Sequence, residues 1–259
     1  AVTEASQGTT DTAGDTLVVS DADGETVTWS CTNCADAGTT QTLTGTYGSW
    51  VLTEATGAWA YTLSNTDSDT DALDAGDSVT DTLAAVATDS SGATDSITVT
   101  VTITGANDAP STSTPSTQSG TEDNTFTGYA ISDFPFTDVD DADSALTSIT
   151  ITVVESSGDL EKSTDGSSWT DVSANDVILA AHIQHLRLAP VANSNADVTF
   201  TYTVQDGATS SGSAVMTTSF AAQNDVPTWS GTAADVTTNE DVAKAITGSV
   251  IADVDDTSL

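Results

Sequence analysis

The sequence predicts an all-β protein built from tandem antiparallel β-sandwich modules, and three observations predict it. Apolar and Thr residues alternate with a period of two. Clusters of Gly, Asp, Asn and Ser separate the alternating runs. Several motifs return at a fixed spacing.

The clearest strand is Ile97-Thr98-Val99-Thr100-Val101-Thr102-Ile103-Thr104, with Ile or Val at every odd position and Thr at every even one. Side chains of a strand point alternately to its two faces, so this run has one apolar and one wet face. Thr is β-branched, so propensity agrees with pattern. Trp59, Tyr61 and Leu63 share a face in the same way, as do Ile149, Ile151 and Val153, and Phe200, Tyr202 and Val204. No helical period competes, apart from a single helical turn expected near 180–186.

The repeat sets the domain organisation. Gly105-Ala106-Asn107-Asp108-Ala109-Pro110 returns as Ala222-Gln223-Asn224-Asp225-Val226-Pro227, a shift of 117 positions (224 less 107). Thr121-Glu122-Asp123 returns as Asn239-Glu240-Asp241, a shift of 118 (240 less 122), and Asp138-Val139-Asp140-Asp141 as Asp253-Val254-Asp255-Asp256. A weaker counterpart lies upstream, with Glu4 followed by Asp21-Ala22-Asp23-Gly24. The expected modules are 1–108, 109–225 and the start of a third at 226–259, a stretch too short to bury a core by itself.

Charge narrows the function. Three Lys and Arg face 39 Asp and Glu, for a formal net charge of -36. Self-repulsion on that scale opposes a compact fold unless cations or salt offset it. Nucleic acid and anionic membrane require basic patches and are excluded as partners. No apolar run approaches the ~18 residues of a membrane span, and no basic stretch followed by an apolar one marks a signal peptide. The chain opens without Met and closes on Asp255-Asp256-Thr257-Ser258-Leu259, which suggests an excerpt from something longer. Cys31 and Cys34, in Cys-Thr-Asn-Cys, suit a local bridge in an oxidising compartment, with free thiols and redox chemistry as alternatives.

The first module resembles the VCBS repeat of large bacterial surface adhesins. The resemblance is carried by Asp21-Ala22-Asp23-Gly24, Gly45-Thr46-Tyr47-Gly48, Gly57-Ala58-Trp59-Ala60-Tyr61-Thr62-Leu63, Ala72-Leu73-Asp74-Ala75-Gly76-Asp77 and the closing Gly105 to Pro110. The second module resembles the bacterial cadherin-like repeat, through Thr121-Glu122-Asp123, Phe136-Thr137-Asp138-Val139-Asp140-Asp141, Phe200-Thr201-Tyr202-Thr203-Val204-Gln205-Asp206-Gly207 and Asn224-Asp225 before Pro227. The resemblance implies immunoglobulin/cadherin-like sandwiches, strung in arrays on secreted RTX-type adhesins and often rigidified by calcium. The Cys31/Cys34 pair departs from both patterns.

Calcium takes six to eight oxygen ligands, mostly carboxylates with some carbonyl and Asn oxygens. At the first junction the linker offers Asn107 and Asp108, the start of module two offers Glu122 and Asp123, and the next loop offers Asp138, Asp140, Asp141 and Asp143. Asn224, Asp225, Glu240, Asp241, Asp253 and Asp255 repeat the set at the second junction, and Asp21 and Asp23 would serve a junction before module one. Asp and Asn also make good turns, and Asp89 and Asp206 suit turns as well as ligation. Recurrence at the repeat period, beside a linker and under this charge excess, favours ligands.

Catalysis has little support. His182 and His185 are the only imidazoles, and a zinc site joining them to Cys31 and Cys34 would draw on two modules. No Gly-x-Ser-x-Gly elbow occurs, and acidic pairs are too common to single one out. Of the five Trp, Trp169 is the best candidate for an exposed sugar-stacking ring, while Trp59 belongs with the core.

The resulting expectation is a non-catalytic, calcium-stiffened spacer at the bacterial cell surface, whose partners are neighbouring modules of the same chain. A carbohydrate- or protein-binding module and a salt-adapted surface-layer or matrix protein are the rival expectations.

Overall fold

A computed structural model describes residues 1–4, 11–140, 146–231, 240 and 249–253. The chain divides into two compact units, the first comprising Ala1–Ser111, Phe136–Leu146 and Gln205–Ser211, the second Thr112–Pro135, Thr147–Val204 and Gly212–Leu259. Two loops that follow residue 111 in sequence, 136–146 and 205–211, thus cluster with the first unit.

Unit 1 contains strands β1 (Val2–Thr3), β2 (Thr12–Thr16), β3 (Thr28–Cys31), β4 (Ala35–Asp36), β5 (Thr40–Thr44), β6 (Gly48–Thr53) and β7 (Ala58–Leu63), the short helix α1 (Ser68–Asp71), and the long hairpin of β8 (Ser78–Thr88) and β9 (Thr94–Thr104). They form one sheet in the order β1-β9-β8-β3 and another in the order β2-β7-β6-β5-β4. The core is a single cluster drawn from both. Val2, Trp29, Leu83, Ala85, Val101 and Ile103 come from the first sheet, and Trp50, Leu52, Tyr61 and Leu63 from the second. Each large side chain so buried stabilises by about 1.5–3 kcal/mol. The rings of Trp50 and Tyr61 lie 4.7 Å apart, with Trp59 half-buried 5.5 Å from Trp50. In β9 the alternation deepens along the strand. Val101 and Ile103 are buried, while Ile97 is exposed beside Val18, Val19 and Trp29 in a shallow groove.

The Gly45-Thr46-Tyr47-Gly48 turn is built around one buried charge. Asp81, only 6% exposed, accepts hydrogen bonds from the N–H groups of Thr46 and Tyr47 at 3.1 Å and from the Tyr61 hydroxyl at 2.8 Å. A Cβ at position 45 would lie 2.3 Å from Asp81 Oδ2, so glycine is required there for close approach. Cys31 and Cys34 form a disulfide across the turn between β3 and β4, with Asn33 left-handed at φ 62°.

Unit 2 contains β10 (Gln118–Thr121), β11 (Ser148–Val153), β12 (Asp159–Lys162), β13 (Thr170–Asp171), β14 (Val177–Leu179), β15 (Leu186–Ala189), β16 (Val198–Gln205), β17 (Ala214–Ala221), β18 (Thr228–Gly231) and β19 (Ser249–Ala252). The sheet β10-β17-β16-β11-β14 is joined by the smaller sheet β13-β12-β15. Ile149, Ile151, Phe200, Tyr202, Val204 and Met216 are buried on the larger sheet, and Leu160, Leu186 and Leu188 on the smaller. Val153, at the end of its alternating run, is exposed. The expected helical turn is a 3-10 helix over Ala180–His185 that buries Ile183. β18 and β19 pair as a separate two-stranded antiparallel sheet, with Trp229 59% exposed. Among the described residues, no helix is long and apolar enough to cross a membrane.

Among the strand pairings described, each unit has one parallel pair, and it is at the same place in each. β1 pairs in parallel with β9, placing Thr3 opposite Thr104, and β10 pairs in parallel with β17, placing Thr121 opposite Ala221. A parallel partner ends at the same end of the sheet, so the residue after each short strand reaches the linker that follows the long one. Glu4 donates its N–H to Thr104 O at 2.9 Å, and Glu122 donates its N–H to Ala221 O at 3.0 Å.

Candidate metal centre

That pairing explains one carboxylate cluster of unit 1. Glu4 follows β1, is 4% exposed, and accepts the Ala106 N–H on Oε2 at 3.1 Å. Asp71 is the last residue of α1, whose N-cap Asp67 accepts from the N–H of Asp69. Asp108 lies in the linker after β9. One carboxylate oxygen from each of Glu4, Asp71 and Asp108 falls within 4.8 Å of the others.

The loops of residues 136–146 and 205–211 extend the cluster. Asp140 Oδ2 accepts the Asp108 N–H at 2.7 Å, and Asp206 Oδ2 accepts from Asn107 Nδ2 at 3.0 Å. Asp140 Oδ1 and Asp138 Oδ2 are buried and meet no N–H or hydroxyl donor among the described residues, and a hydrogen bond between the two carboxyl groups forms only when one of them is protonated. Buried acceptors left in that state cost free energy, so the arrangement calls for a proton or a cation.

Electrostatics say the same. Burial pushes Glu4 and Asp108 above the usual carboxylate range, and the neighbouring Asp71 and Asp140 charges push both further. Asp138 is driven to about 7 by burial, by its hydrogen bond with Asp140, and by the charges of Asp140 and Asp206. Asp206 goes the other way. Burial opposes its ionisation, but hydrogen bonds from Asn107, Thr209 and Ala208 outweigh it and hold the carboxyl low. Among the described residues no basic side chain relieves the crowding. Lys162 pairs with Asp176 at 2.5 Å and Arg187 with Glu161 at 2.6 Å, all within unit 2. Every donor in the cluster is an oxygen, which fits a hard cation and not a thiolate- or imidazole-seeking one.

The sequence-derived ligands fall into five groups. Asn107, Asp108, Asp138 and Asp140 are brought together, though Asn107 enters through its amide nitrogen. Glu122 and Asp123, expected beside Asn107, are placed differently. Glu122 Oε1 accepts the Gln223 N–H at 2.7 Å and Asp123 Oδ1 the Asn193 N–H at 2.9 Å, both within unit 2. The parallel pairing of β10 with β17 is the reason, while the pairing of β1 with β9 gives the place beside the first linker to Glu4. Asp21 groups with Glu25 and Asp89, while Asp23 joins only by donating its N–H to Asp21. Asn224, Asp225, Glu240 and Asp253 belong to none of the three carboxylate groups found among the described residues. Asp141, Asp143, Asp241 and Asp255 lie outside the described residues.

Glu4 carried a signal in the sequence as the repeat counterpart of Glu122. Asp71 carried none, lying in a stretch where Asp67, Asp69, Asp74 and Asp77 look equally eligible. Asp206 proves to be a turn residue as well, accepting the N–H groups of Ala208 and Thr209.

The remaining candidates give less. The sulfurs of Cys31 and Cys34 are joined to each other, so neither is a thiolate for zinc. The rings of His182 and His185 stack 6.3 Å apart in unit 2. Trp169 carries the Arg187 guanidinium 4.0 Å over its ring, which removes that face as a sugar platform. The third carboxylate group, Asp159, Glu161 and Asp171, has Arg187 as its counter-charge.

No protein-family model and no curated protein matches the chain. Solved structures that resemble it include the protocadherin γB4 extracellular domain (18% identity, 75% of this chain and 29% of that one, TM-score 0.36). Two others are the protocadherin γB7 EC3–6 cis-dimer (13%, 87% and 51%, 0.39) and the CfaE adhesin of enterotoxigenic E. coli (12%, 86% and 96%, 0.37). The chain thus spans less than a third of the first and about half of the second. At these TM-scores none bears on the chemistry of the site. The all-β sandwich assignment stands on the strand order and the shared core of each unit.

Proposed function

We propose that this chain is a calcium-stiffened spacer segment of a secreted bacterial surface adhesin, without catalytic activity of its own. The observation that carries the proposal is the convergence of Glu4, Asp71, Asp108, Asp138 and Asp140, crowded and partly without donors, where no basic side chain among the described residues reaches them. These five carboxylates would hold the ion. Calcium would neutralise them and supply the positive partner that the described residues do not provide. The adhesin setting rests on the motifs shared with VCBS and bacterial cadherin-like repeats.

Stiffening follows from connectivity. Asp138 and Asp140 sit on a segment entered from Pro135 and left at Thr147, and Asp206 on one entered from Val204 and left at Gly212. All four flanking residues belong to unit 2. An ion bound to Glu4, Asp71 and Asp108 as well would restrain chain that continues directly into the second unit. Extracellular modules typically bind calcium at ~0.1–1 mM, which would load the site outside a cell and leave it unloaded inside one. Asp21 and Asp89 stand 117 positions before Asp138 and Asp206 (138 less 21; 206 less 89), so they are suited to serve an upstream module in the same way.

Small-angle X-ray scattering of the whole chain tests the spacer role. In millimolar calcium the maximum dimension should become longer and better defined than in EDTA. Identical scattering in both would rule stiffening out.

A further inference from the structure

The linker is gripped by direct protein contacts that oppose the repulsion of its charges. Asn107 Nδ2 donates to Asp206 Oδ2 at 3.0 Å and to Thr209 Oγ1 at 3.2 Å. The Thr209 hydroxyl lies 3.1 Å from the Asp108 carbonyl oxygen and 3.0 Å from Asp206 Oδ2, and its single proton serves one of them at a time. Asn107 Nδ2 also approaches the Asp108 carbonyl oxygen, so the amide and the Thr209 hydroxyl both face that carbonyl. With Asn107 already donating to Asp206, the hydroxyl proton is best placed on the carbonyl's second lone pair. On the other side, the Asp108 N–H donates to Asp140 at 2.7 Å. Both peptide groups of Asp108 that flank its side chain are therefore bonded to loop residues, and neither bond needs a cation.

We infer that Thr209 is a positioning residue, whose hydroxyl locks the Asn107–Asp108 linker onto the Asp206 turn and holds the Asp108 carboxylate ready before an ion arrives. The inference rests on the calcium reading above. A ligand fixed in advance does not lose its conformational freedom on binding, so affinity rises without any added contact to the ion. Carboxylates left to repel one another would otherwise drive the linker away. The hydroxyl also distinguishes this turn from its counterpart one repeat earlier. There Asp89 replaces Asp206, and Gly92 stands where Thr209 does, 117 positions on (209 less 92). Asp89 takes its hydrogen bonds from Ser91 and Ala93, within its own turn. A site built on Asp21 and Asp89 lacks the lock and is expected to bind calcium more weakly.

The test uses the whole chain with Thr209→Val, which keeps the shape and removes the hydroxyl, and Thr209→Ser, which restores it. Calcium affinity is measured by titration calorimetry at fixed salt, and the hydrogen exchange of the Asp108 amide is followed in EDTA. Thr209→Val should bind calcium about five- to tenfold more weakly, the loss expected for about one hydrogen bond, and its Asp108 amide should exchange faster without any ion. Thr209→Ser should return both readouts to near wild type. Wild-type affinity or unchanged exchange in Thr209→Val overturns the inference. So does a Thr209→Ser variant as impaired as Thr209→Val, which would point to packing of the methyl group. Should the wild type take up no calcium at millimolar concentration, the calcium reading fails and the role of Thr209 toward an ion fails with it. A fast Asp108 amide in Thr209→Val would then still show the lock.

Discussion

Glu4 and Glu122 occupy the same place in two similar frames, yet their surroundings differ. Each follows a short strand paired in parallel with the last long strand of its unit, and each accepts an N–H from the linker beyond, Ala106 in one case and Gln223 in the other. Both are nearly buried, at 4% and 3% exposure. Around Glu4, however, the connection into the last hairpin is α1, ending on Asp71, and the linker adds Asp108. In unit 2 the corresponding connection runs through residues 190–197, where Asn193 donates its N–H to Asp123. The strand pairing thus provides a buried acid at the end of each unit, and the connecting loop decides how much charge gathers round it.

Four predictions would break or sharpen this comparison. The largest effect concerns the independence of the two frames. Asp81→Ala strands the N–H groups of Thr46 and Tyr47 and the Tyr61 hydroxyl, and should cost unit 1 about 3 kcal/mol. In calorimetry one transition should move and the other stay. Equal movement of both would mean that the units unfold as one.

Next comes Glu4→Gln, which keeps an acceptor for Ala106 but removes a charge. Calcium affinity should fall more than tenfold while stability in EDTA rises, because the desolvated, repelled carboxylate is gone. Glu122→Gln should leave that affinity unchanged, and an equal loss from both substitutions would undo the distinction between the two places. Asp71→Asn should weaken binding several-fold, and less than Glu4→Gln, since Asp71 is the more exposed of the two.

The smallest effect is on pH. Asp138 is raised to about 7 in the folded chain, from the usual value near 3.8. Between those values the folded state holds more protons than the unfolded one, so in EDTA this group's contribution is full below pH 4 and is lost as pH rises through 7. Stability in EDTA should therefore be lower at pH 7.5 than at pH 5. Calcium binding must expel that proton, so affinity should weaken as pH falls below 7. A flat profile in both buffers would show that Asp138 is ionised throughout.

The sequence made the strands and cores largely legible because their signals are local. Phe200, Tyr202 and Val204 declare a buried face by spacing alone, and so do Tyr61 and Leu63. The Asp-x-Asp loop of Asp138 and Asp140 and the Asn107-Asp108 linker were visible because they repeat. Partner choice was not visible. Whether Glu122 meets the linker before it or the one after it depends on the parallel pairing of β10 with β17, a contact across about a hundred residues that no local pattern reports. Asp71 was hidden for a different reason: in a chain with 39 acids, a ligand and a solvating carboxylate look alike until the fold brings one of them to a buried neighbour.

The most direct test of the central claim is thermal unfolding of the whole chain in EDTA, in millimolar calcium, and in EDTA with sodium chloride at matched ionic strength. Calcium at ~10–100 times its dissociation constant adds about 1.4–2.7 kcal/mol per site, enough to raise the melting temperature by roughly 5–15 °C. The account predicts that rise with calcium and little of it with sodium chloride. Equal stabilisation by sodium chloride, or no response to calcium, would contradict it and favour an acidic surface protein adapted to salt.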